Sequence, residues 1–210
     1  MRIFIVRHAQ TIANKNKIIQ GQEDTPITPE GIQNTYRTAL YLRSKNIAKI
    51  FASPLGRTVQ TSQIIADAVQ INKSKITYLD GLKEIDLKPW ALAKISSIDN
   101  SDDVSSYKTY MNSPLLFKAL SGENLLDVQI RVKESFKQII NQCNNDDNIV
   151  VVSHSVAIRT FLLSIDGYGF DHIWEYKIHP SSVTEILYQN LVFYTVTVGM
   201  LPNESNLDIC

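Results

Sequence analysis

Short apolar runs alternate with amphipathic stretches along the chain, and this alternation predicts an α/β fold. Runs rich in β-branched residues at 3–6, 47–52 and 149–152, and a weaker one at 76–79, predict buried strands. Apolar residues at helical spacing predict helices that begin near Thr28-Pro29 and Ser53-Pro54 and helices over 125–139 and 157–163. Strands that alternate with helices favour a three-layer core with a mostly parallel sheet flanked by helices.

Two later parts of the chain break this alternation. Residues 86–121 hold several aromatic residues without a clean period, and we interpret them as a helical cap inserted into a single domain that spans residues 1–210. Residues 183–187 and 191–198 predict two closing strands around a turn at Gln189-Asn190. An exposed closing strand could pair across a homodimer. The polar tail from Pro202 to Cys210 is expected either to be disordered or to cover the site.

Composition narrows the class of protein. Lys and Arg together number 21 and Asp and Glu together number 21, so the chain lacks the cationic surplus that non-specific nucleic-acid binding needs. No apolar run approaches the roughly 20 residues that cross a bilayer. Arg7 interrupts the N-terminal apolar run, so we do not expect this run to act as a signal peptide. Cys143 and Cys210 are too few for a disulfide framework or a cysteine-rich zinc site. We expect a cytoplasmic protein with no membrane or nucleic-acid partner.

Chemically versatile residues directly follow the predicted strands. Arg7 and His8 follow the first strand, and His154 follows the strand at 149–152. Arg57 stands shortly after the strand at 47–52, and Glu84 stands after the weak strand at 76–79. Ligands of open α/β sheets bind beyond the carboxyl ends of the strands. We therefore expect these five side chains to meet in one crevice.

That set of side chains suits phosphoryl chemistry. Two guanidinium groups form a receptor for a phosphoryl group, and a histidine with one unprotonated nitrogen is a competent nucleophile. A second histidine, if protonated, would stabilise the transferring oxygens, and a carboxyl group can protonate a leaving oxygen and then activate water. Such a site needs no metal or other cofactor. A metal site is the alternative for histidines and carboxylates, but no H-x-H or H-E-x-x-H spacing occurs.

These residues lie in ordered segments that resemble the histidine phosphatase superfamily, the phosphoglycerate mutase-like proteins. The segments are residues 7–11 with Asn14, Gln20-Gly21, and residues 26–31, 53–61, 84–86, 122–124 and 151–155. The resemblance implies that His8 is the phosphorylated nucleophile and that Glu84 is the general acid and base. It implies that Arg7, Arg57 and His154 complete the phosphate pocket, and that Asn14, Gln20, Gly21 and Ser155 contact the substrate. The implied fold is an α/β core with a variable cap over the pocket.

The chain departs from the family pattern at several positions. Ala9 and Ser155 stand where glycine is usual, which is acceptable if their φ angles are negative. Ile18 stands where many members carry arginine, and Leu87 where the mutases carry tyrosine. Residues 86–121 contain no arginine, whereas the mutases use paired cap arginines to hold a second anionic group. These departures favour hydrolysis of a small phosphorylated metabolite over mutase-type phosphoryl transfer.

A resemblance to one subgroup makes this expectation more specific. Among the phosphatases, the chain looks most similar to the metal-independent phosphoserine phosphatase subgroup, because it shares residues 7–9, residues 84–86 and a hydroxyl after His154. That subgroup is expected to bind the substrate carboxylate with a late histidine, and no histidine follows His179, which argues against specificity for phosphoserine.

A catalytically silent phosphate-binding module is the remaining alternative. Glu84 argues against it, because a mere binder gains little from a carboxylate beside an anion.

Overall fold

A single six-stranded sheet forms the centre of the protein. The computed structural model describes residues 1–203, and the last part of the predicted tail, from residue 204 to Cys210, lies outside the described residues. The strands are β1 (Arg2–Arg7), β2 (Ile47–Ala52), β3 (Thr77–Tyr78), β4 (Asn148–Ser153), β5 (Val183–Gln189) and β6 (Val192–Met200), in the spatial order β3-β2-β4-β1-β5-β6. The first four strands pair in parallel, whereas β5 and β6 are antiparallel to their neighbours. The predicted mostly parallel sheet is confirmed.

Helices cover both faces of this sheet. They are α1 (Ile12–Lys15), α2 (Pro29–Arg43), α3 (Gly56–Ala68), α4 (Tyr107–Asn112), α5 (Leu125–Asn141) and α6 (Ser155–Asp166). Ile3 and Ile5 of β1 point into an apolar layer shared with α5 and α6, whereas Phe4 and Val6 point into a layer shared with residues of α2 and α3. Because β1 is buried on both faces, its sequence is continuously apolar rather than alternating.

The two predicted helix starts that combine a hydroxyl residue with proline have different outcomes. Thr28 caps α2 as predicted, because its hydroxyl accepts the Gly31 N–H at 2.9 Å and Pro29 occupies the first helical position. The prediction at Ser53-Pro54 is wrong, because α3 begins at Gly56 and its N-cap is Leu55. The Ser53 hydroxyl instead accepts the Leu55 N–H at 3.3 Å and contacts His154.

The closing hairpin also differs in detail from its prediction. Strands β5 and β6 are present, but the two residues with positive φ at the turn are Asn190 and Leu191, one position later than predicted. Leucine at positive φ is uncommon, so residue preferences pointed to the wrong position. Strand β6 lies at the edge of the sheet, and Val192, Tyr194 and Val196 are about half exposed. The homodimer remains a prediction.

The segment 86–121 is held mainly by aromatic packing. It contains α4 and three short 3-10 turns at Lys88–Trp90, Ile95–Ser97 and Pro114–Leu116. The Trp90 ring contacts the rings of Tyr107, Tyr110 and Phe117 at centroid distances between 5.4 and 5.7 Å. Backbone hydrogen bonds join Ile19 to residues 92 and 93, and they fix the cap against the loop that follows β1. Within residues 1–203, no helix is long and apolar enough to span a bilayer.

Candidate active site

The carboxyl ends of β1, β2 and β4 meet in register at one edge of the sheet. Arg7 pairs with Ser153, and Ala52 pairs with Val152, so the next residue of each strand reaches the same edge. The His8 N–H donates to the Ser153 carbonyl at 2.9 Å, and the Ser53 N–H donates to the Val152 carbonyl at 3.0 Å. Strand register therefore aligns His8, Ser53 and His154.

A cavity of about 290 Å³ opens beside this edge. Among its lining residues are eight of those expected at the site: Arg7, His8, Asn14, Gln20, Gly21, Arg57, Glu84 and Ser155. His154 does not line the cavity but lies fully buried behind it, with its ring centroid 5.2 Å from that of His8. The structure therefore brings the whole predicted set into one place.

His8 is held in an orientation that suits nucleophilic attack. Its Nδ1 lies 2.7 Å from the Ala9 carbonyl, so Nδ1–H is the donor and the Nε2 lone pair is free. Burial, and then the charges of Arg57 and Arg7, hold the pKa of His8 well below its usual value of 6.5. Neither Ala9 nor Ser155 has a positive φ, so both departures from glycine are unstrained. The imidazole of His8 is therefore neutral near neutral pH.

His154 is fixed by Ser53. The Nε2 of His154 lies 2.8 Å from the Ser53 hydroxyl, which already accepts the Leu55 N–H and can donate its own proton to the imidazole. When the hydroxyl donates in this way, the proton of a neutral His154 lies on Nδ1, a buried atom without a hydrogen-bond partner among the described residues. Burial, followed by the charge of Arg57, keeps the pKa of His154 well below its usual value. The protonated second histidine considered from the sequence is therefore not the resting form of the ligand-free site.

Arg7 and Arg57 each present a buried guanidinium nitrogen to the site. Arg7 donates from Nη1 to the Ile178 carbonyl at 2.7 Å, and burial lowers the pKa of Arg7 to about 10. Arg57 is 1% exposed and forms an ion pair of 2.8 Å with Asp24. The Nε atoms of both arginines are buried without a partner in the described part of the chain. Buried donors of this kind are normally paired, so an anion would satisfy them.

Glu84 lies at the N-terminus of α6. Its carboxylate accepts the Val156 and Ala157 N–H groups at distances between 3.1 and 3.2 Å. The free N–H groups at a helix N-terminus bind negatively charged groups well, which explains why α6 orients this side chain. From the other side, Arg131 donates to the Glu84 carbonyl at 2.9 Å and pairs with Glu123 at 2.7 Å.

The residues expected to contact substrate have identified protein partners. Gly21 has a φ of 54°, and its carbonyl accepts Nη2 of Arg57 at 2.7 Å, so its local effect is to position that arginine. The side chain of Gln20 accepts the Thr25 hydroxyl, and the side-chain oxygen of Asn14 caps α1 by accepting the Thr11 N–H. The Ser155 hydroxyl, expected to face phosphate, accepts a hydrogen bond from Arg159.

Sequence reasoning missed four residues at or behind the site: Asp24, Ser53, Arg131 and Arg159. Of these four, Arg159 is the one that the sequence could have indicated, because it stands one helical turn after Ser155 on the helix that follows His154. Ser53 was misinterpreted as a helix cap. Asp24 and Arg131 act through contacts between segments distant in sequence, for which no local pattern exists.

The remaining lining of the cavity is largely apolar. Apart from Arg159, it comes from the loop after β1, from residue 85, from the cap and from residues 156 and 174, as Ile18, Ile19, Ile85, Leu87, Tyr107, Tyr110, Met111, Val156 and Trp174. The four cap lysines, at positions 88, 94, 108 and 118, are absent from this lining. Across residues 1–203, no three His, Cys, Asp or Glu side chains are grouped so that they could hold a metal ion.

Comparison with solved structures supports the same fold over nearly the whole chain. YhfR from Bacillus stearothermophilus superposes with a TM-score of 0.87 at 26% identity, covering 94% of this chain and 96% of the other. Phosphoserine phosphatase from Entamoeba histolytica, in complex with phosphoserine, superposes with a TM-score of 0.82 at 21% identity, covering 95% and 97% of the two chains.

Sequence comparison supports the same relationship. A probable phosphoglycerate mutase GpmB from Enterobacter sp. (strain 638) is 28% identical over 189 residues, which cover 90% of this chain and 86% of the relative. The family model of the histidine phosphatase superfamily (branch 1) matches residues 3–199. Together with the paired histidines at the sheet edge, this match shows that the chain belongs to the histidine phosphatase superfamily.

Proposed function

We propose that the protein is a metal-independent phosphatase that hydrolyses a small-molecule phosphomonoester through a phosphohistidine at His8. The observation that carries this proposal is the hydrogen bond from Nδ1 of His8 to the Ala9 carbonyl, which leaves Nε2 unprotonated beside a cavity lined by Glu84. A neutral imidazole held in this way is a nucleophile, and a carboxyl group beside it can move the protons that hydrolysis requires. Superfamily relatives named as phosphatases and mutases are both consistent with this chemistry.

In the first step, Nε2 of His8 attacks phosphorus while the bond from phosphorus to the ester oxygen breaks. Glu84, in its protonated form, gives its proton to the leaving oxygen, so the substrate departs as an alcohol. Arg7 and Arg57, which line the cavity, neutralise the phosphoryl oxygens, and His154 lies directly behind His8. The two guanidinium groups are at the cavity before substrate binds, so little reorganisation is needed.

In the second step, the carboxylate of Glu84 takes a proton from water, and the water oxygen attacks phosphorus. The bond from phosphorus to Nε2 breaks and its electron pair returns to His8. Inorganic phosphate leaves, and Glu84 is again protonated for the next cycle. Mutase-type transfer would instead return the phosphoryl group to a second substrate position, which requires the intermediate to hold a further anionic group. The cap contributes no lysine or arginine to the cavity lining, whereas the mutase pattern has paired cap arginines, and this supports hydrolysis; the third cation of the lining, Arg159, comes from α6.

The test compares the candidate activities in the presence of a chelator. Phosphate release is followed with an aryl phosphate and a panel of phosphorylated metabolites. Interconversion of 3- and 2-phosphoglycerate is followed with and without added 2,3-bisphosphoglycerate. Phosphate release without interconversion is the expected result. Interconversion faster than hydrolysis would favour the mutase, and phosphate binding without turnover at any pH would favour the silent binding module.

A further inference from the structure

Arg159 is a cation in the candidate site to which the proposed chemistry assigns no function. It lines the cavity together with Glu84, and its Nε donates to the Tyr176 carbonyl at 3.0 Å. Its Nη1 bonds Ser155. Its Nη2 has no hydrogen-bond partner within residues 1–203. The side chain is therefore anchored through Nε and Nη1, and Nη2 has donor capacity to spare.

The charge of Arg159 lacks a direct counter-ion. Four arginines of the described chain are at least partly buried, namely Arg7, Arg57, Arg131 and Arg159. Arg57 pairs with Asp24 and Arg131 pairs with Glu123, whereas Arg7 and Arg159 have no carboxylate within 4 Å in the same part of the chain. Both unpaired guanidinium groups line one cavity. Glu84 is the carboxylate whose charge acts most on both arginines, and one carboxylate beside two guanidinium groups leaves a positive charge that an anionic substrate can offset.

Arg159 lies in the part of the cavity lined by Trp174 and Tyr110. Its guanidinium carbon is 5.5 Å from the centre of the Trp174 ring, which itself meets the Tyr110 ring at 5.2 Å. Burial lowers the pKa of Arg159, while the neighbouring Glu84 and Tyr110 raise it. The pKa of His8 responds instead to Arg57 and Arg7. Arg159 also acts on the pKa of Arg7, so it lies in the same charged cluster as Arg7 and Glu84, with the Trp174 ring beside it.

The wall next to Arg159 favours an unsaturated carbon skeleton. Tyr107, Tyr110 and Trp174 line the cavity beside Met111, and we call the three aromatic residues the aromatic wall. Flat, apolar groups pack well against such side chains. A cavity of about 290 Å³ is sufficient for a phosphoryl group and a leaving group of about one ring.

We propose that Arg159 is a specificity-determining residue that binds a carboxylate on the leaving group, while the aromatic wall contacts the unsaturated or aromatic skeleton that carries it. This inference rests on the proposed phosphatase function and names its substrate class, the phosphate esters of hydroxylated, largely apolar carboxylic acids. The charge of Arg159 and the donors of its unpartnered Nη2 match a single carboxylate.

The test separates binding from turnover by using non-hydrolysable phosphonates. Calorimetry compares 3- and 4-carboxybenzylphosphonate with the neutral 3- and 4-carbamoyl analogues, which have nearly the same shape. We expect the wild-type protein to bind at least one carboxylate isomer about tenfold or more tightly than its carbamoyl analogue, because a charge-assisted hydrogen bond replaces a neutral one. Arg159→Gln should bring that ratio close to one, whereas Arg37→Gln, at an exposed arginine of α2, should retain the wild-type ratio.

Arg159→Lys provides a second variant in case the glutamine variant folds poorly, and thermal unfolding of both variants is measured alongside. It keeps the charge but loses the planar fork, so its preference should lie between those of the wild type and Arg159→Gln. Equal binding of both analogues by the wild type, or a preference that survives in Arg159→Gln, would overturn the inference.

Turnover of the corresponding carboxyphenyl and carbamoylphenyl phosphates distinguishes this inference from the proposed function. An Arg159-dependent preference among the phosphonates without any turnover would refute the phosphatase function and retain the carboxylate site. Turnover of both esters without a preference between them would retain the phosphatase function and refute the carboxylate site.

Discussion

The imidazole rings of His8 and His154 lie 5.2 Å apart between centroids, with their planes tilted by 52°. Both residues directly follow strands that are parallel neighbours in the sheet, so strand register sets their separation. His8 lines the cavity, and His154 lies behind it as the next ring. One ring is held by the Ala9 carbonyl and the other by the Ser53 hydroxyl.

The first prediction concerns the nucleophile. We expect His8→Asn to lower kcat by about a thousandfold or more, because asparagine cannot form the phosphoryl intermediate. Rapid quenching with labelled substrate should trap an acid-labile, base-stable protein phosphate in the wild type and none in the variant. His172→Asn, at an exposed histidine paired with Glu175, serves as the control and should behave like wild type. Label retained in His8→Asn would assign the nucleophile elsewhere.

The second prediction concerns Glu84. We expect Glu84→Gln to slow hydrolysis of alkyl phosphates by about a hundredfold or more, because poor leaving groups need protonation. Activated aryl phosphates should be affected much less in the step that forms the intermediate, and burst-phase kinetics measures that step separately. Glu134→Gln, at an exposed position of α5, is the matched control. If Glu84→Gln slowed formation of the intermediate equally for alkyl and aryl phosphates, Glu84 would not be the general acid.

The third prediction concerns Ser53 as a positioning residue. We expect Ser53→Ala to lower kcat by about tenfold, because loss of the hydroxyl frees the His154 ring to change tautomer. Nitrogen NMR of the imidazole should find the proton on Nδ1 of His154 in the wild type and a mixture in the variant. Ser62→Ala removes another buried hydroxyl, one that donates to the Val59 carbonyl, and should leave the tautomer unchanged. An unaltered tautomer in Ser53→Ala would contradict this role.

The fourth prediction concerns the ion pair between Asp24 and Arg57. Asp24→Asn should lower the free energy of unfolding by about 1–3 kcal/mol, because it leaves the buried guanidinium without its counter-charge, although Asp24 itself is partly exposed to solvent. Urea denaturation measures the change. Asp67→Asn breaks an exposed pair with Lys73 and should change stability by no more than about 0.5 kcal/mol. A similar loss of unfolding free energy in both variants would mean that the buried pair of Arg57 stabilises the protein no more than the exposed pair of Lys73.

The fifth prediction concerns pH. The pKa values of His8 and His154 are lowered in the folded protein, so below about pH 6.5 the unfolded chain binds protons that the folded chain does not. The free energy of unfolding should therefore fall as the pH drops below that value, by at most about 1.4 kcal/mol per pH unit for each histidine. Urea titrations from neutral to acidic pH should find a shallower fall in His154→Asn than in wild type. Parallel curves for His154→Asn and wild type would contradict the prediction.

Local patterns were sufficient to predict the features that depend on neighbouring residues in the chain. Runs such as residues 149–152 predicted buried strands, and Thr28-Pro29 predicted the start of α2. The position of residues after strands predicted that His8, Arg57 and Glu84 would lie together, because parallel strands end at a common edge. The strands, the α/β class and the family relationship follow from such patterns.

Features set by distant contacts were not predicted. Ser53 follows the pattern of a helix cap, but its hydroxyl meets His154, which is 101 positions away. Arg131 holds the backbone of residues 81–84 from a helix that begins at Leu125, and nothing near Glu84 in the sequence indicates this. In residues 86–121, packing among aromatic rings decides the path of the chain, so no helical or strand period is present to be detected.

The N-terminus of α6 has a consequence for how the protein can evolve or be engineered. The helix orients Glu84 through its backbone N–H groups and carries Arg159 one turn further on. A substitution that tilts α6 therefore changes reactivity and selectivity together. Tyr107, Tyr110 and Met111 belong to a short helix with no such link to the acid. Redesign of these three positions is the route by which a new substrate could be accepted while the rate of the chemical step is preserved.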